Sequence, residues 1–516
     1  MKQFLIGTLS IFIFSSCFGQ TDMGFLSETG YVKDEIKKEE KHHYKIELSE
    51  TELVMISLMQ ENVDLTVGYL SPTGAERTLD GYNGKNGPEP MLIRADTSGT
   101  YLIKVAVFEE KGSGSYVLEI LDRQIKKPSV AEQLDQELAM WAELDHMPGC
   151  GTAIVSKDAV LYSKGFGKAD KSKNDKYDTE TIQNIGSVSK TTIALSIMKL
   201  VDEGRLSLDT EINDILPFSV TNPYHPDVPI TVEHLATHTS SINEMPAYEK
   251  SYLIVGPHNI KPEDVSKGEY RSLTRYQKNK EVPMEEFLEN ILSKNGSWYK
   301  KKKTFLKSKP GTKYQYSNVA ATLAAFVVEQ ITGLSHADYT RQIIFEPLGM
   351  SSTGWAYDDI DADKLAQLYF SNGRMALPRY QLITYPDGGL RTSVEDLSRY
   401  LQELIRGRAG QGTLLEPSSY EEMMRSRLTP QHFGRADGDE NAGIFWDING
   451  ESAEGHSGGD PGIVTLMYFN PEKLVGGIIM TNCGLDDPMA RKQFSEMWSA
   501  INYYGEKIGA HLIRIG

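Results

Sequence analysis

At 516 residues the chain is longer than one ordinary hydrophobic core fills, so two folded domains are expected. A hydrophobic share of 40% with 24% charged residues is a globular composition. The net charge of −17 argues against nucleic acid as a partner and for small ligands that are uncharged or cationic.

Residues 1–20 read as a signal peptide rather than as structure. Lys2 gives a positive start, Phe4 to Phe14 is an apolar run too short for a mature span, and Ser15 to Gln20 offers small-residue cleavage sites. Export follows, to a periplasmic or secreted location. Cleavage after Gly19 and cleavage before Cys17 with a lipid anchor on that cysteine both fit. Phe14-Ser15-Ser16 is a poor lipobox, which favours the soluble form. No later segment approaches the roughly 20 apolar residues of a transmembrane span.

From residue 21 to 125 the hydrophobic period is two. Tyr44, Ile46 and Leu48 alternate, as do Val63, Leu65, Val67 and Tyr69, then Tyr101, Ile103, Val105 and Val107, then Tyr116 to Ile120. Ser71-Pro72-Thr73-Gly74 and Thr97-Ser98-Gly99 supply turns, so a small antiparallel β-sandwich is expected. His42-His43, after a charged run, reads as a solvated strand edge rather than a metal site. The stretches Asn62 to Val67 and Gly99 to Val105 resemble the bacterial pre-peptidase C-terminal domain, a β-sandwich found beside secreted hydrolases.

Lys126-Lys127-Pro128 breaks the pattern. Ser129 and Glu132 then form a capping box for a helix with Val130, Leu134, Leu138 and Trp141 on one face, which opens a second domain over residues 129–504. Thr152 to Ser156 and Val160 to Phe166 read as a hairpin across Lys157-Asp158. Next comes Ile185-Gly186-Ser187-Val188-Ser189-Lys190, a polar break opening into the apolar helical run Ile193 to Val201. Residues three apart share a helical face, so the Lys190 ammonium can sit beside the Ser187 hydroxyl and activate it without a histidine.

His234 and His238 stand four apart on an expected helix start, but no glutamate follows the first and no third ligand is in view, so packing or hydrogen bonding is expected rather than metal. Residues 241–310 are rich in charge and aromatics, including Tyr252, Tyr270, Tyr276, Trp298 and Tyr299, and are expected to roof a cleft and select substrate. Lys300 to Lys303, with Lys307 and Lys309, is a basic run that reads either as a solvated flexible loop or as an attractor for an anionic substrate or cell-wall polymer. Tyr316-Ser317-Asn318 alone reads as a turn, with Asn318 capping a helix from Ala320 to Thr332.

Five motifs in this order, Ser187-Val188-Ser189-Lys190, His234 to Ser240, Tyr314 to Asn318, Asp387-Gly388-Gly389-Leu390 and Gly455-His456-Ser457-Gly458-Gly459, resemble the serine β-lactamase-related family, which holds class C β-lactamases, D-alanyl-D-alanine carboxypeptidases and related esterases. The resemblance implies an α+β fold, an antiparallel sheet flanked by helices, with no cofactor and no metal. It implies Ser187 as nucleophile, Lys190 and Tyr316 as the groups that move its proton, and Asn318 as an orienter of Lys190 and the substrate. His456, Ser457 and Gly458 would contact substrate. The backbone N–H groups of Ser187 and Gly459 would form the oxyanion hole. Which of Lys190 and Tyr316 is the base stays open.

The last motif departs from the β-lactamases, which usually carry lysine where His456 stands; an imidazole is mostly neutral at pH 7 and is a weaker anchor for a substrate carboxylate. Gly455-His456-Ser457-Gly458-Gly459 also fits the nucleophile elbow Gly-x-Ser-x-Gly, but Asn449 to Glu454 is polar, Gly459-Asp460-Pro461-Gly462 forbids a helix, and only His511 follows as a base. In the family fold Cys150 and Cys483 lie on neighbouring strands, so either a disulfide or two buried thiols is expected. The leading expectation is a serine hydrolase acting through an acyl-enzyme on a small ester, peptide or amide. A non-catalytic cell-envelope binding or sensor protein, and a true β-lactamase, are the alternatives.

Overall fold

The computed structural model describes residues 20–26, 30–79, 84–244, 246–435, 440–450 and 452–515. Of the expected leader over residues 1–20, residues 1–19 with Cys17 lie outside the described residues, as does the side chain of His511. The chain divides into two compact units, the first ending at Pro128 and the second starting at Ser129.

The first unit is a β-sandwich. Its strands are β1 (Gln20–Phe25), β2 (Tyr31–Ile36), β3 (Lys41–Leu48), β4 (Glu52–Glu61), β5 (Leu65–Leu70), β6 (Glu76–Leu79), β7 (Asn86–Arg94), β8 (Gly99–Val107) and β9 (Gly114–Ile125). One sheet runs β1-β3-β8-β5-β6 and the other β2-β9-β4-β7. The alternating residues of β3, β5, β8 and β9 point inward and are buried together, with Val54, Ile56 and Leu58 of β4 facing them. Period-two reading does not find β4, because Leu53 to Ile56 is buried on both faces and so does not alternate. Nor does it find β7, whose Pro88 and Pro90 are tolerated because β7 is an edge strand.

The reading of His42 as a solvated edge is overturned. β3 lies between β1 and β8, His42 is buried, and its Nδ1 is 2.6 Å from the Tyr116 hydroxyl, which is also 2.6 Å from the Tyr44 hydroxyl. Three polar tips from opposite sheets thus meet inside the sandwich and satisfy one another.

The second unit begins with the helix Val130–Ala142, whose capping box forms between Ser129 and Glu132. The strands β10 (Gly149–Ser156), β11 (Val160–Asp170) and β12 (Asp175–Lys176) open its sheet; β13 (Ile182–Asn184), β14 (Tyr252–Ile254), β15 (Tyr380–Leu382) and β16 (Arg391–Ser393) pair outside it. The sheet is completed by β17 (Glu440–Ala442), β18 (Asp447–Asn449), β19 (Ala453–Asp460), β20 (Ile463–Asn470) and β21 (Val475–Thr481). Among the described residues its order is β12-β11-β10-β21-β20-β19-β18-β17, antiparallel throughout. Alternation splits the faces. Gly151 of β10 lies against Val394 of the helix Val394–Arg408, while Gly477 of β21 lies against Trp498 and Ile501 of the helix Pro488–Ile515. The fold is therefore α+β, with helices on both faces of an antiparallel sheet. Among the described residues no single helix is long and apolar enough to cross a membrane.

Cys150 and Cys483 are free and buried rather than bridged. Register explains this: Cys150 pairs with Thr481 across β10 and β21, so Cys483 lies two residues beyond its neighbour. Burial pushes the Cys150 thiol up to about 12 and that of Cys483 up to about 11, far from the thiolate that reacts. Maleimide labelling followed by peptide mass spectrometry should modify both cysteines only after denaturation, and peptide maps with and without reductant should coincide. A Cys150–Cys483 cross-linked peptide would contradict this arrangement.

Candidate active site

The Ser187 turn is fixed from three sides. Gly186 adopts φ +54 and ends β13, which is held to β16 while the Ile185 N–H donates to the Leu390 carbonyl at 3.0 Å. The Ser189 hydroxyl donates to the Gly186 carbonyl at 2.7 Å and accepts from the Leu390 N–H at 3.2 Å. On the third side runs β19. A Cβ on Gly458 would lie 2.0 Å from the Ile185 carbonyl oxygen, so only glycine lets the strand approach this closely. The turn is a short 3₁₀ segment, Gly186–Ser189, that leads into the helix Lys190–Asp202.

Lys190 is fully buried at the start of that helix. Its ammonium donates to Ser187 Oγ at 2.9 Å and to the Asp387 carbonyl at 2.5 Å, and stands 5.1 Å from the centroid of the Tyr316 ring. Burial works against this charge, but Tyr316 and the carboxyls of Asp387 and Asp460 outweigh it, and the net direction is above the ordinary lysine value. Burial also raises the Tyr316 phenol, with partial relief from the Lys190 charge and from hydrogen bonding to Lys190 and Ser187. The resting pair is thus an ammonium and a neutral phenol, both reaching one hydroxyl.

The other residues singled out by sequence divide into two groups. Gly459 comes close to the nucleophile turn, since a Cβ on Gly186 would lie 2.9 Å from the Gly459 nitrogen. His456 is buried, its Nδ1 2.6 Å from the Ser457 carbonyl and its ring 6.5 Å from that of Tyr316, whereas Ser457 is exposed. Among the described residues no hydrogen bond joins Asn318 to Lys190, whose ammonium donates to Ser187 Oγ and the Asp387 carbonyl; the Asn318 backbone N–H donates to Glu244 Oε2 at 2.7 Å. Nor does Asn318 cap the helix Asn318–Thr332; Ser317 does, its hydroxyl accepting from the Ala320 N–H at 3.1 Å.

The two histidines of the second motif do not converge. His234 closes a capping box with Thr231, while His238 leaves the helix Val232–Ala236 at φ +56 and lies 4.4 Å from the Tyr316 ring, centroid to centroid. Burial, with Lys190 and His456 nearby, holds His238 well below the ordinary histidine value, so it is a neutral support behind Tyr316. Among the described residues no group of three or more His, Cys, Asp or Glu side chains could hold a metal ion. Lys300 to Lys303 are exposed, with Lys301 4.5 Å over the Tyr224 ring.

Sequence reasoning missed a second layer of acids and tyrosines. Asp387 is buried and accepts from the Tyr248 hydroxyl and from the Thr322 hydroxyl, both at 2.8 Å. Asp460 accepts from the Tyr252 hydroxyl at 2.5 Å. Burial pushes Asp460 and Glu244 up to about 7 each, against the hydrogen bonds they receive from Tyr252 and from the Asn318 N–H. Asp387 had a signal in the Asp387-Gly388-Gly389-Leu390 motif, and Asp460 directly follows Gly459. Glu244, Tyr248 and Thr322 had none.

Chemically, the arrangement presents a serine hydroxyl with two proton-carrying groups on one side and a glycine-rich strand on the other. That is an arrangement for nucleophilic attack with proton transfer.

The Beta-lactamase family model matches residues 139–500. The chain is 23% identical to Protein flp of Staphylococcus aureus (strain MRSA252) over 394 residues, which cover 73% of this chain and 70% of that protein. It is 26% identical to Unguisins hydrolase ungD' of Aspergillus campestris (strain IBT 28561) over 317 residues, 58% of this chain and 51% of that one. Among solved structures, the octameric penicillin-binding protein homologue from Pyrococcus abyssi superposes with a TM-score of 0.53 at 27% identity, covering 72% of this chain and 77% of that chain. With a family match across well over half its length, the chain belongs to the Beta-lactamase family, as a serine hydrolase of the β-lactamase fold.

Proposed function

We propose that the protein hydrolyses a small ester, peptide or amide through an acyl-enzyme at Ser187, in the manner of D-alanyl-D-alanine carboxypeptidases and esterases of its family. The observation that carries this reading is the 2.9 Å hydrogen bond from the buried Lys190 ammonium to Ser187 Oγ, with Tyr316 alongside. Ser187 Oγ attacks the carbonyl carbon and its proton passes into the Lys190–Tyr316 pair. The oxyanion is met by the N–H groups of Ser187 and Gly459, a contribution of roughly 3 kcal/mol per donor. The pair returns the proton to the leaving group, and water then releases the acyl group by the reverse sequence. His456, Ser457 and Gly458 line the strand along which substrate lies. Asn318 helps to orient Lys190 and the substrate amide. A leader over residues 1–20 would deliver this activity outside the cytoplasm.

Similarity to a penicillin-binding protein homologue makes a penicillin a direct probe. Intact mass after incubation should show one covalent adduct on the wild type and none on Ser187→Ala. If neither penicillin nor any ester or peptide reacts with the wild type, the site only binds, and the hydrolase reading is lost.

The directions of the two ionisations set the pH dependence. Lys190 and Tyr316 both lie above their ordinary values, so both are protonated at neutral pH and the form able to accept the Ser187 proton is scarce. It grows as pH rises toward their titration. With a neutral ester, kcat/KM should therefore climb by about tenfold per pH unit on the acid side, the slope of a single proton loss. Tyr316→Phe should lower it by about 10² to 10⁴. A profile flat from pH 6 to 9 would mean that the pair already rests one proton short.

A further inference from the structure

Beside the nucleophile turn the protein holds a cavity of about 550 Å³, whose inner wall is the end of β19 and the turn that follows it. Its lining contains the carboxylates Glu269, Asp460 and Asp486 and the rings of Tyr252, Tyr276 and Tyr380, and among the described residues that form it there is no Lys, Arg or His. Such a wall disfavours an anion and favours a cation, through charge and through the negative faces of the rings.

The three acids differ in what they have left to offer. Glu269 accepts from the N–H groups of Ser266 at 2.9 Å and Ser371 at 3.0 Å, and is committed to the backbone. Asp486 is exposed and accepts from the Ser371 hydroxyl at 3.1 Å. Asp460 is different: among the described residues it accepts one hydrogen bond, to Oδ1 from Tyr252, and Oδ2 accepts none. Burial raises this carboxyl to about 7, and a cation seated beside it would return it to the carboxylate. Tyr380 supplies an independent sign of a missing ligand. It is 2% exposed, lines the cavity, and among the described residues its hydroxyl has no hydrogen-bond partner. Buried hydroxyls are nearly always paired, so one left unpaired on a cavity wall marks a place for a ligand's polar group. The rings of Tyr252 and Tyr276 stack with centroids 4.6 Å apart and form a broad aromatic side to the same space.

We propose that this cavity is the subsite for a cationic amino group of the substrate, with Asp460 as its counter-charge and the Tyr380 hydroxyl as a second acceptor. Asp460 follows Gly459, so the ammonium is held one residue along the strand from the N–H assigned to the oxyanion. The site then selects acyl donors with a free amine close to the scissile carbonyl, as in an unblocked amino-acyl ester or amide. This rests on the acyl-enzyme reading, and two measurements keep the two separable.

The first compares kcat/KM for alanine p-nitroanilide, both enantiomers, with the N-acetylated counterparts. The wild type should prefer the free amine by at least tenfold for one enantiomer, Asp460→Asn should bring the ratio near one, chiefly through KM for the amine, and Tyr380→Phe should reduce it. A wild-type ratio near one, or a ratio that survives in Asp460→Asn, overturns the proposal. The second uses Ser187→Ala, which needs no turnover: calorimetric titration should show phenethylammonium binding at least tenfold more tightly than 2-phenylethanol. Adding Asp460→Asn should remove that difference. Equal binding of the two probes overturns the subsite even if the hydrolase reading stands, and cation-selective binding without turnover of any ester keeps the subsite while the hydrolase reading fails. If Asp460→Asn does not fold, Tyr380→Phe in the Ser187→Ala background should reduce the preference for phenethylammonium, and an unchanged preference overturns the proposal.

Discussion

A fully buried ammonium is the constraint on which the second unit is built. Taking an unpaired cation of this size out of water costs several kcal/mol even after relaxation, so Lys190 can stay charged only where acceptors are fixed in advance. One acceptor is Ser187 Oγ and the other is the carbonyl of Asp387, and the two come from segments about two hundred residues apart in the chain. Hydrogen bonds to a charged donor are worth about 1.5 to 3 kcal/mol each. The position of the nucleophile and the register of residues 385–391 are therefore coupled: neither can shift without leaving the ammonium short of a partner.

Around that cation the acids are arranged in two ranks. Asp387 touches Lys190 through its main chain while its carboxyl is tied to Tyr248 and Thr322, so its side chain sets where its own carbonyl points. Glu244 and Asp460 stand further out, the first held by the Asn318 N–H and the second by the Tyr252 hydroxyl, and each is raised by burial. Three acids crowded near one cation cannot all ionise cheaply. The resulting reluctance to ionise leaves the site receptive to a second positive charge.

What sequence reveals here depends on whether the partner is local. The Ser187–Lys190 pair was legible because a separation of three residues fixes geometry on any helix start. The capping box at Ser129 and the alternating strands of the sandwich were legible for the same reason: their rules span four residues or two. Illegible contacts are those made across the chain. His42 looked solvated because nothing near it in sequence announces Tyr116, which arrives on β9 from the opposite sheet. The Asp387 carbonyl that accepts from the Lys190 ammonium was equally illegible, because a carbonyl carries no sequence signature at all. Cys150 lies on β10 and Cys483 just past the end of the neighbouring β21, and that two-residue offset separates free thiols from a bridge.

The close approach at Gly458 has a consequence for how this enzyme can diverge. Along β19 Glu454, His456 and Gly458 are buried, whereas Ser457 and Gly459 are exposed. Because the packed side at 458 abuts the Ile185 carbonyl, inherited variation there is closed: every other amino acid would push the strand off the turn. Position 457 and the strand end at 460 are not locked in this way. A lineage exploring new substrates would accumulate its changes at those two places and leave Gly458 untouched, so that the same backbone serves unrelated substrates.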